Sequence, residues 1–327
     1  MSRIVIHIGT HKTATTHLQD TFHKNRALLK THGVTYPYIG WTRGQHGLAS
    51  AWIRMPMPYA LLNPHRAWDK LTRAHADKPG TVFISSEEFS RLAPRQVNMA
   101  ELRKMVAGFD EVRILCTLRN QASFLQSVYQ QVSVERNPGV WGPFYKRALQ
   151  TKRADGLALD YNDLYDHLLT GFAPEEIRFL SYDTAVKDEG GIVGAYLRAL
   201  DLPLRADDLE PFAAKSSNVS EDALATLAAN MVAGADVARP GLVAQMRQAL
   251  DQGAGADRPR STVYSRAEVQ EMAATFNPLN AKLARRLRAH QPAFRVGPML
   301  GGNLKLGFRG TLDEDFWIKA CRGLRKA

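Results

Sequence analysis

The residues near the start of the chain combine the groups that bind phosphate. The segment Gly9–Thr16 reads Gly-Thr-His-Lys-Thr-Ala-Thr-Thr, between a short apolar stretch at 3–8 and a stretch where Leu18 and Phe22 have helical spacing. A helix start presents unpaired backbone N–H groups and the positive end of the helix dipole. Lysine adds a point charge and threonine hydroxyls add short donors. The pattern predicts a strand, a phosphate-binding loop and a helix, with these candidate ligands: Gly9, Thr10, Lys12, Thr13, Ala14, Thr15 and Thr16.

The loop differs from a nucleotide-binding Walker A loop, which reads G-x-x-x-x-G-K-[ST]. Ala14 stands five residues after Gly9, and Lys12 comes three residues after that glycine, so the lysine lies early in the loop. The sequence also shows no clear apolar strand that ends in an aspartate suited to holding Mg²⁺. Phosphate binding is therefore predicted, whereas Mg²⁺-dependent ATP hydrolysis is not.

A second candidate phosphate-binding position follows another apolar stretch. Residues 112–118 predict a buried parallel strand that ends at Arg119, and Ser127 lies eight residues further on, in a predicted helix at 122–134. An arginine fork binds phosphate through two hydrogen bonds, and a serine hydroxyl adds one. Ligands of open α/β sheets bind at the carboxyl ends of the strands. The alternative is that Arg119 caps a carbonyl and that Ser127 belongs to an ordinary helix.

The loop resembles the 5′-phosphosulfate loop of sulfotransferases that use 3′-phosphoadenosine 5′-phosphosulfate (PAPS). The usual form of that loop is a lysine, a small residue and then Gly-Thr-Thr. Residues 12–16 follow this spacing, with Ala14 where the family has glycine. Because alanine disfavours positive φ, we expect the chain to stay helical at Ala14. Arg119 and Ser127 likewise resemble the sulfotransferase pair that binds the 3′-phosphate.

The resemblance implies transfer of a sulfuryl group from PAPS to an acceptor hydroxyl, leaving 3′-phosphoadenosine 5′-phosphate. Backbone N–H groups of 13–16 and the hydroxyls of Thr15 and Thr16 would hold the 5′-phosphosulfate. Lys12 would neutralise charge as the S–O bond breaks. Arg119 and Ser127 would bind the 3′-phosphate and so select PAPS over ATP. No metal is required in this scheme, because Lys12 and the helix start neutralise the charge.

A third strand end supplies candidate catalytic carboxylates. Residues 81–86 predict a strand, and Glu87 and Glu88 follow it directly. Similar sulfotransferases place a glutamate or histidine there to take the acceptor's proton, so Glu87 is the first candidate for the general base and Glu88 the second. The alternative is that they cap the next helix together with Ser86. His11, beside Lys12, is a further candidate for the sulfate site, unless its side chain faces water.

The tail carries a weaker candidate for cofactor binding. Lys305-Leu306-Gly307-Phe308-Arg309-Gly310 is similar to a basic, glycine-containing segment that touches the 3′-phosphate in several sulfotransferases. Lys305 and Arg309 are therefore candidate cofactor ligands. The alternative is an exposed turn before a last predicted helix at 313–322.

Composition limits the class of protein. The chain has 327 residues, a net charge of +11 and two cysteines, Cys116 and Cys321. Its basic residues are spread along the chain rather than grouped in a stripe, so nucleic-acid binding is not expected, and a polyanionic cofactor explains the charge. No cysteine or histidine spacing fits a zinc site. The chain lacks a long apolar run and a signal-peptide pattern, so we expect a cytoplasmic protein without a transmembrane segment.

The order of predicted elements indicates the fold class. Strands alternate with helices up to about residue 202, which is typical of a three-layer P-loop-like α/β fold with a central parallel sheet. We expect this core at 1–202 and a mainly helical extension at 203–327, packed on it as one structural domain. Residues 135–156 carry Pro138, Pro143 and several glycines, and we expect them to be irregular.

The acceptor is not identified by the sequence. Aromatic residues at 39–66 and 135–156 favour a saccharide or a glycolipid, since aromatic faces stack on sugar rings, and a small alcohol or phenol stays open. Two other functions also stay open. One is a P-loop-like kinase or NTPase, and the other is a non-catalytic nucleotide-binding module.

Overall fold

The structure of the protein is a computed structural model that describes residues 1–212, 221–254, 258–302 and 305–325. Contacts within the chain define two compact units. The first comprises Met1–Asn120, Asp155–Ala214 and Pro278–Gly297, and the second comprises Gln121–Ala154, Lys215–Asn277 and Pro298–Ala327. A single division near residue 202 differs from this partition at 121–154, 203–214 and 278–297. The reason is long-range packing, such as that of Leu283 and Leu287 in the core of the first unit.

The first unit is built on a parallel sheet, as the alternating elements predict. Among the described residues this sheet has five strands in the order β2-β3-β1-β4-β5, and every neighbouring pair is parallel. The short strand β2 lies at one edge, where the proline that follows it is tolerated. The strands are β1 Ser2–His7, β2 Val34–Thr35, β3 Gly80–Ser85, β4 Glu111–Leu118 and β5 Ile177–Ser181.

Helices cover both faces of this sheet. Ile4 and Ile6 of β1 point to one face and Val5 points to the other, because side chains alternate along a strand. All three side chains are fully buried, which is expected of a parallel sheet covered on both sides. One face packs against α3 (Pro64–His75), α4 (Met99–Met105) and α7 (Tyr161–Leu168). The other packs against α1 (Thr15–Lys24), α2 (Arg26–Thr31) and α9 (Gly191–Ala199).

The helices follow the predicted order. Asn25 separates the predicted helix at 15–31 into two. The helices are α1 Thr15–Lys24, α2 Arg26–Thr31, α3 Pro64–His75, α4 Met99–Met105, α5 Gln121–Glu135, α6 Trp141–Thr151, α7 Tyr161–Leu168, α8 Tyr182–Ala185, α9 Gly191–Ala199, α10 Ala223–Ala233, α11 Pro240–Ala254, α12 Arg266–Arg286 and α13 Glu314–Leu324.

The second unit is mainly helical. Helices α10, α11 and α13 share a core around Leu224, Met246 and Phe316. Two-residue strands at Arg260–Ser261 and Leu306–Gly307 pair in parallel. Ser220, the predicted start of α10, lies outside the described residues, as do Gly255 and Ala256 of a predicted break.

The prediction that 135–156 is irregular was wrong, because α6 occupies half of this stretch. Pro143 is the third residue of α6, where a proline is tolerated since the first N–H groups of a helix have no intrahelical acceptor. Trp141 and Tyr145 hold the helix in the second unit through ring contacts with Tyr264, at 4.8 and 6.0 Å between centroids.

No helix in the described part of the chain combines the length and the apolar character that crossing a membrane requires.

Candidate functional site

Four parallel strands of the first unit end at the same edge of the sheet. The loop Gly9–Thr16 follows β1, Glu87 follows β3, Arg119 follows β4, and Tyr182-Asp183 follows β5. Because the strands are parallel, their carboxyl ends lie side by side. The edge therefore brings a turn with helix-start N–H groups together with a carboxylate and a guanidinium.

Backbone hydrogen bonds to β4 fix the start of the loop. The Ile8 N–H donates to the Leu115 carbonyl at 2.9 Å, and the Thr10 N–H donates to the Thr117 carbonyl at 2.7 Å. The Thr10 hydroxyl donates to the same Thr117 carbonyl at 3.2 Å. The Thr117 N–H in turn donates to the carbonyl of Gly9. The loop thus continues the hydrogen-bond ladder of the sheet past the end of β1. These bonds fix the position of the loop.

Three of the four loop threonines hold the shape of the turn. The hydroxyls of Thr13 and Thr15 donate to the Thr10 carbonyl, and the side chains of all three residues are buried. A hydroxyl that donates inward has only lone pairs left for another partner. Thr16, in contrast, has an exposed side chain at the first turn of α1.

The prediction that the chain stays helical at Ala14 was wrong. Ala14 has φ +60° and ψ 26°, and Lys12 also has φ +60°. The loop must turn sharply into α1, and this turn requires a left-handed residue where the resembling family has glycine. The alanine methyl packs against the core below α1, and the Ala14 carbonyl accepts the first helical hydrogen bond from Leu18 at 3.1 Å. These contacts offset a conformational cost of about 1–2 kcal/mol.

Lys12 and Arg119 form a cationic pair beside this turn. The Arg119 Nη1 donates to the Lys12 carbonyl at 3.0 Å. Burial lowers the pKa of the Lys12 ammonium, the positive charge of Arg119 lowers it further, and the negative charge of Glu87 raises it. Two partly buried cations repel each other, so an anion that binds between them relieves the repulsion.

The strand ends around Arg119 fix its backbone and side chain. The Tyr161 hydroxyl donates to the Arg119 carbonyl, and the guanidinium carbon lies 4.9 Å from the centre of the Tyr182 ring. The Asp183 carboxylate accepts from the Asn120 backbone N–H at 3.0 Å and from its side-chain amide at 2.9 Å. Arg119 is therefore held in one orientation before any ligand binds.

Glu87 packs directly against the loop Gly9–Thr16. A Cβ on Gly9, where φ is +85°, would stand 2.8 Å from the Glu87 Cβ, which is too close for any side chain. The Gln19 amide donates to Glu87 Oε2 at 3.3 Å, and His46 Nδ1 lies 3.7 Å from the same oxygen. Ser86 caps the short helix Glu87–Ser90, as the alternative interpretation predicted, by accepting from the Glu88 N–H. The capping side chain is that of Ser86, and the Glu87 carboxylate faces Gln19 instead.

Glu88 has a different environment. Its carboxylate accepts from His11 Nε2 at 3.2 Å and from Arg91 Nε at 2.9 Å. Burial raises the pKa of the Glu88 carboxyl, but the hydrogen bond and charge of His11, together with Arg91, outweigh it and lower the pKa to about 2. His11 is mostly buried against Glu88 rather than facing water. A carboxylate held in this way is a poor proton acceptor at neutral pH.

The other candidate cofactor ligands lie in the second unit. Ser127 is on α5 and is largely buried. Lys305 is exposed. Arg309 donates to the Glu268 carboxylate at 2.9 Å and to the Val263 carbonyl at 3.2 Å, so its charge is already paired. Their assignment to the 3′-phosphate stays a prediction.

Sequence reasoning missed the residues that hold the candidate ligands. These supporting residues contact the candidate ligands from segments that are distant in sequence. Only two of them have a sequence pattern that could have indicated their role. The Tyr-Asp pair at the end of β5 marked Asp183, and a glutamine between apolar positions of α1 marked Gln19 as a buried polar residue. The missed supporting residues are Gln19, His46, Arg91, Asn120, Tyr161, Tyr182 and Asp183.

The described residues contain no group of three or more histidine, cysteine or acidic side chains arranged to hold a metal ion.

Comparisons with known proteins return little. No family model and no curated protein matches the chain. Among solved structures, a sulfotransferase from Alicyclobacillus acidocaldarius matches with a TM-score of 0.47 and 14% identity, over 87% of this chain and 95% of that one. A match of this strength does not identify an activity.

A glycine at position 14 tests the left-handed loop. We expect Ala14→Gly to raise the free energy of unfolding by about 0.5 kcal/mol, because the relief of left-handed strain exceeds the added entropy of the unfolded chain. The matched control Ala67→Gly, inside α3, should lower it by about 1 kcal/mol. Urea titrations measure both. Destabilisation by Ala14→Gly as large as that of the control would contradict the left-handed assignment.

The paired state of Glu88 predicts an acid dependence of stability. Its pKa is about 2 in the folded protein, below its usual value of 4.5, so the stabilisation is fully present above pH 4.5 and is lost as the pH falls towards 2. We expect Glu88→Gln to lower the free energy of unfolding at pH 7 by about 2 kcal/mol. Near pH 2 the unfolding free energies of the variant and the wild type should approach each other. Denaturant titrations at a series of pH values measure this difference. A difference that does not change with pH would refute the assigned pairing.

Proposed function

We propose that the protein is a sulfotransferase that moves a sulfuryl group from PAPS to an acceptor hydroxyl. The observation that carries this proposal is the grouping of Lys12, Arg119 and Glu87 at one sheet edge, around the start of α1. Two cations and a helix start suit a donor with several phosphate charges. A carboxylate on a residue that packs against the same loop suits removal of a proton from an acceptor.

The donor would lie over the loop. Ala14, the N-cap of α1, has no polar side-chain atom that could cap the helix, so the N–H groups at 14–16 are suited to a 5′-phosphosulfate. The exposed Thr16 hydroxyl supports this role more directly than the inward-directed Thr15 hydroxyl. Lys12 would stabilise the charge that develops on the bridging oxygen.

The reaction is a direct transfer. The acceptor oxygen forms a bond to sulfur, and the bond between sulfur and the bridging phosphate oxygen breaks. The electron pair of the broken bond stays on the phosphate, which leaves as 3′-phosphoadenosine 5′-phosphate. The acceptor's proton passes to the Glu87 carboxylate.

Glu87 is the better candidate base of the two neighbouring glutamates. Glu88 is occupied by His11 and Arg91, and these contacts keep its pKa near 2. Glu87 is positioned by Gln19 on the helix that follows the phosphate loop. His11 would contribute by holding Glu88 and, through it, the loop rather than by taking the proton.

Arg119 would select the donor by binding its 3′-phosphate. The sequence resemblance assigns the same role to Ser127. The scheme requires no metal. The lysine stands early in the loop and no Gly-Lys pair follows, so the loop lacks the arrangement with which Mg²⁺-dependent P-loop kinases bind ATP. The acceptor class is a hydroxyl compound, with a saccharide or a glycolipid as the proposed type.

Binding of 3′-phosphoadenosine 5′-phosphate without Mg²⁺ tests the donor site. By calorimetry we expect micromolar or tighter binding, which Arg119→Ala weakens by about tenfold to a hundredfold, since a charge-assisted pair is lost. The control Arg113→Ala removes an arginine from the same strand, about 20 Å away, and should leave binding unchanged. ATP and ADP serve as competitors. Preference for Mg·ATP would refute the proposal and favour a kinase.

Removal of the candidate base separates catalysis from binding. We expect Glu87→Gln to bind 3′-phosphoadenosine 5′-phosphate like the wild type but to lower kcat by about 10²–10⁴-fold. Release of this product from PAPS is measured with water, 4-nitrophenol, glucose and octyl glucoside as acceptors. Unchanged kcat in the variant would exclude Glu87 as the base. Tight binding with no turnover by the wild type would favour a non-catalytic nucleotide-binding module.

A further inference from the structure

An apolar surface lies on the segment between β2 and α3 in the first unit. Few of the large apolar side chains of this chain are as exposed as those of Leu62, Trp41 and Met57, at 98%, 74% and 72%. An exposed apolar patch of this kind marks a surface that contacts something other than water. We call it the 38–62 surface, and its exposed members are Tyr38, Trp41, Met57, Tyr59 and Leu62.

The two stretches that form this surface lie against each other. A Cβ on Gly40 would stand 3.4 Å from the Leu61 Cδ2, and one on Gly47 would stand 2.5 Å from the Leu61 Cγ. The Leu61 N–H also donates to the Ser50 hydroxyl at 3.2 Å. The turn that carries Trp41 and the stretch that carries Leu62 therefore lie next to each other.

This surface reaches the candidate base. The Tyr59 ring packs edge-on against the His46 ring, with 5.5 Å between their centroids. His46 Nδ1 lies 3.0 Å from the Ser86 hydroxyl and 3.7 Å from Glu87 Oε2. A molecule that rests on Tyr59 is thus two side chains away from the carboxylate proposed to take the acceptor's proton.

The charged residues within the segment itself have one sign. Residues 38–66 contain three arginines and neither aspartate nor glutamate. Arg43 pairs with Asp20 at 2.6 Å, whereas Arg54 and Arg66 are exposed and lie close in sequence to Met57 and Leu62. Exposed arginines next to tryptophan, tyrosine and leucine are the combination that binds the interface of a membrane with anionic lipids.

We propose that the 38–62 surface docks on an anionic lipid bilayer, and that the acceptor hydroxyl belongs to a lipid headgroup. This inference rests on the proposed sulfotransferase activity and narrows its acceptor. Leu62, Met57 and Trp41 insert among the acyl chains near the headgroups, while Arg54 and Arg66 contact lipid phosphates. A free saccharide would gain nothing from burying Leu62 and Met57, because neither side chain has a group that bonds to a sugar hydroxyl.

Vesicle binding tests the docking without donor or turnover. The full chain is sedimented with vesicles of phosphatidylcholine alone and of phosphatidylcholine mixed with phosphatidylglycerol. We expect binding to the mixed vesicles, weakened by high salt, and a blue shift of tryptophan emission that Trp41→Phe removes. Leu62→Gln should lower the partition coefficient about tenfold, which corresponds to the burial of one large apolar side chain.

A matched control tests whether replacing any exposed apolar side chain weakens vesicle binding. Val134 is 73% exposed and lies on α5 in the second unit, so Val134→Gln should bind vesicles like the wild type. Equal losses for Leu62→Gln and Val134→Gln, or no binding to mixed vesicles, would overturn the proposal. Circular dichroism of each variant distinguishes lost docking from lost folding.

The two proposals fail separately. Calorimetry with 3′-phosphoadenosine 5′-phosphate is run on the same Leu62→Gln protein, where we expect wild-type affinity. Nucleotide binding without vesicle binding overturns the lipid docking and leaves the sulfotransferase proposal standing. Vesicle binding without nucleotide binding overturns the sulfotransferase proposal and, with it, the lipid acceptor, while the docking surface itself stands.

Discussion

The contact between Gly9 and Glu87 is the constraint on which the site depends. The two residues follow neighbouring strands, and no side chain fits between them, since a Cβ on Gly9 would stand 2.8 Å from that of Glu87. Backbone hydrogen bonds from the loop to β4 hold Gly9 in this position. The absence of a side chain at one residue thus brings the turn at Gly9–Thr16 and the residue that carries a carboxylate together, on a sheet buried on both faces.

Two adjacent glutamates acquire different chemistry from this arrangement. Glu88 turns towards His11 and Arg91, whose hydrogen bonds and charges stabilise its ionised form. Glu87 turns towards Gln19 and His46, and its charge acts on Lys12. One carboxylate therefore supports the structure of the loop, and the other is the one proposed as the general base. Environment rather than residue type separates the roles.

The loop carries backbone strain at the positions proposed to meet the donor. Lys12 and Ala14 are both left-handed, and neither is glycine. Such residues persist where the surrounding contacts fix them, and here the contacts are the ladder to β4, the threonine hydroxyls and the core below α1. The same contacts hold the helix-start N–H groups in place before a ligand arrives, which lowers the ordering cost of binding.

The sequence by itself determined the parallel sheet and most helices, because these depend on apolar periodicity and on residues close together in the chain. It also indicated which strand ends carry Glu87 and Arg119, since parallel strands end at one edge. It did not determine the left-handed Ala14, the helix at 141–151 or the supporting contacts of Gln19, His46 and Asp183. Only the tertiary structure decided these features, because each depends on atoms brought together from distant segments, and local propensity is overridden where such packing is stronger.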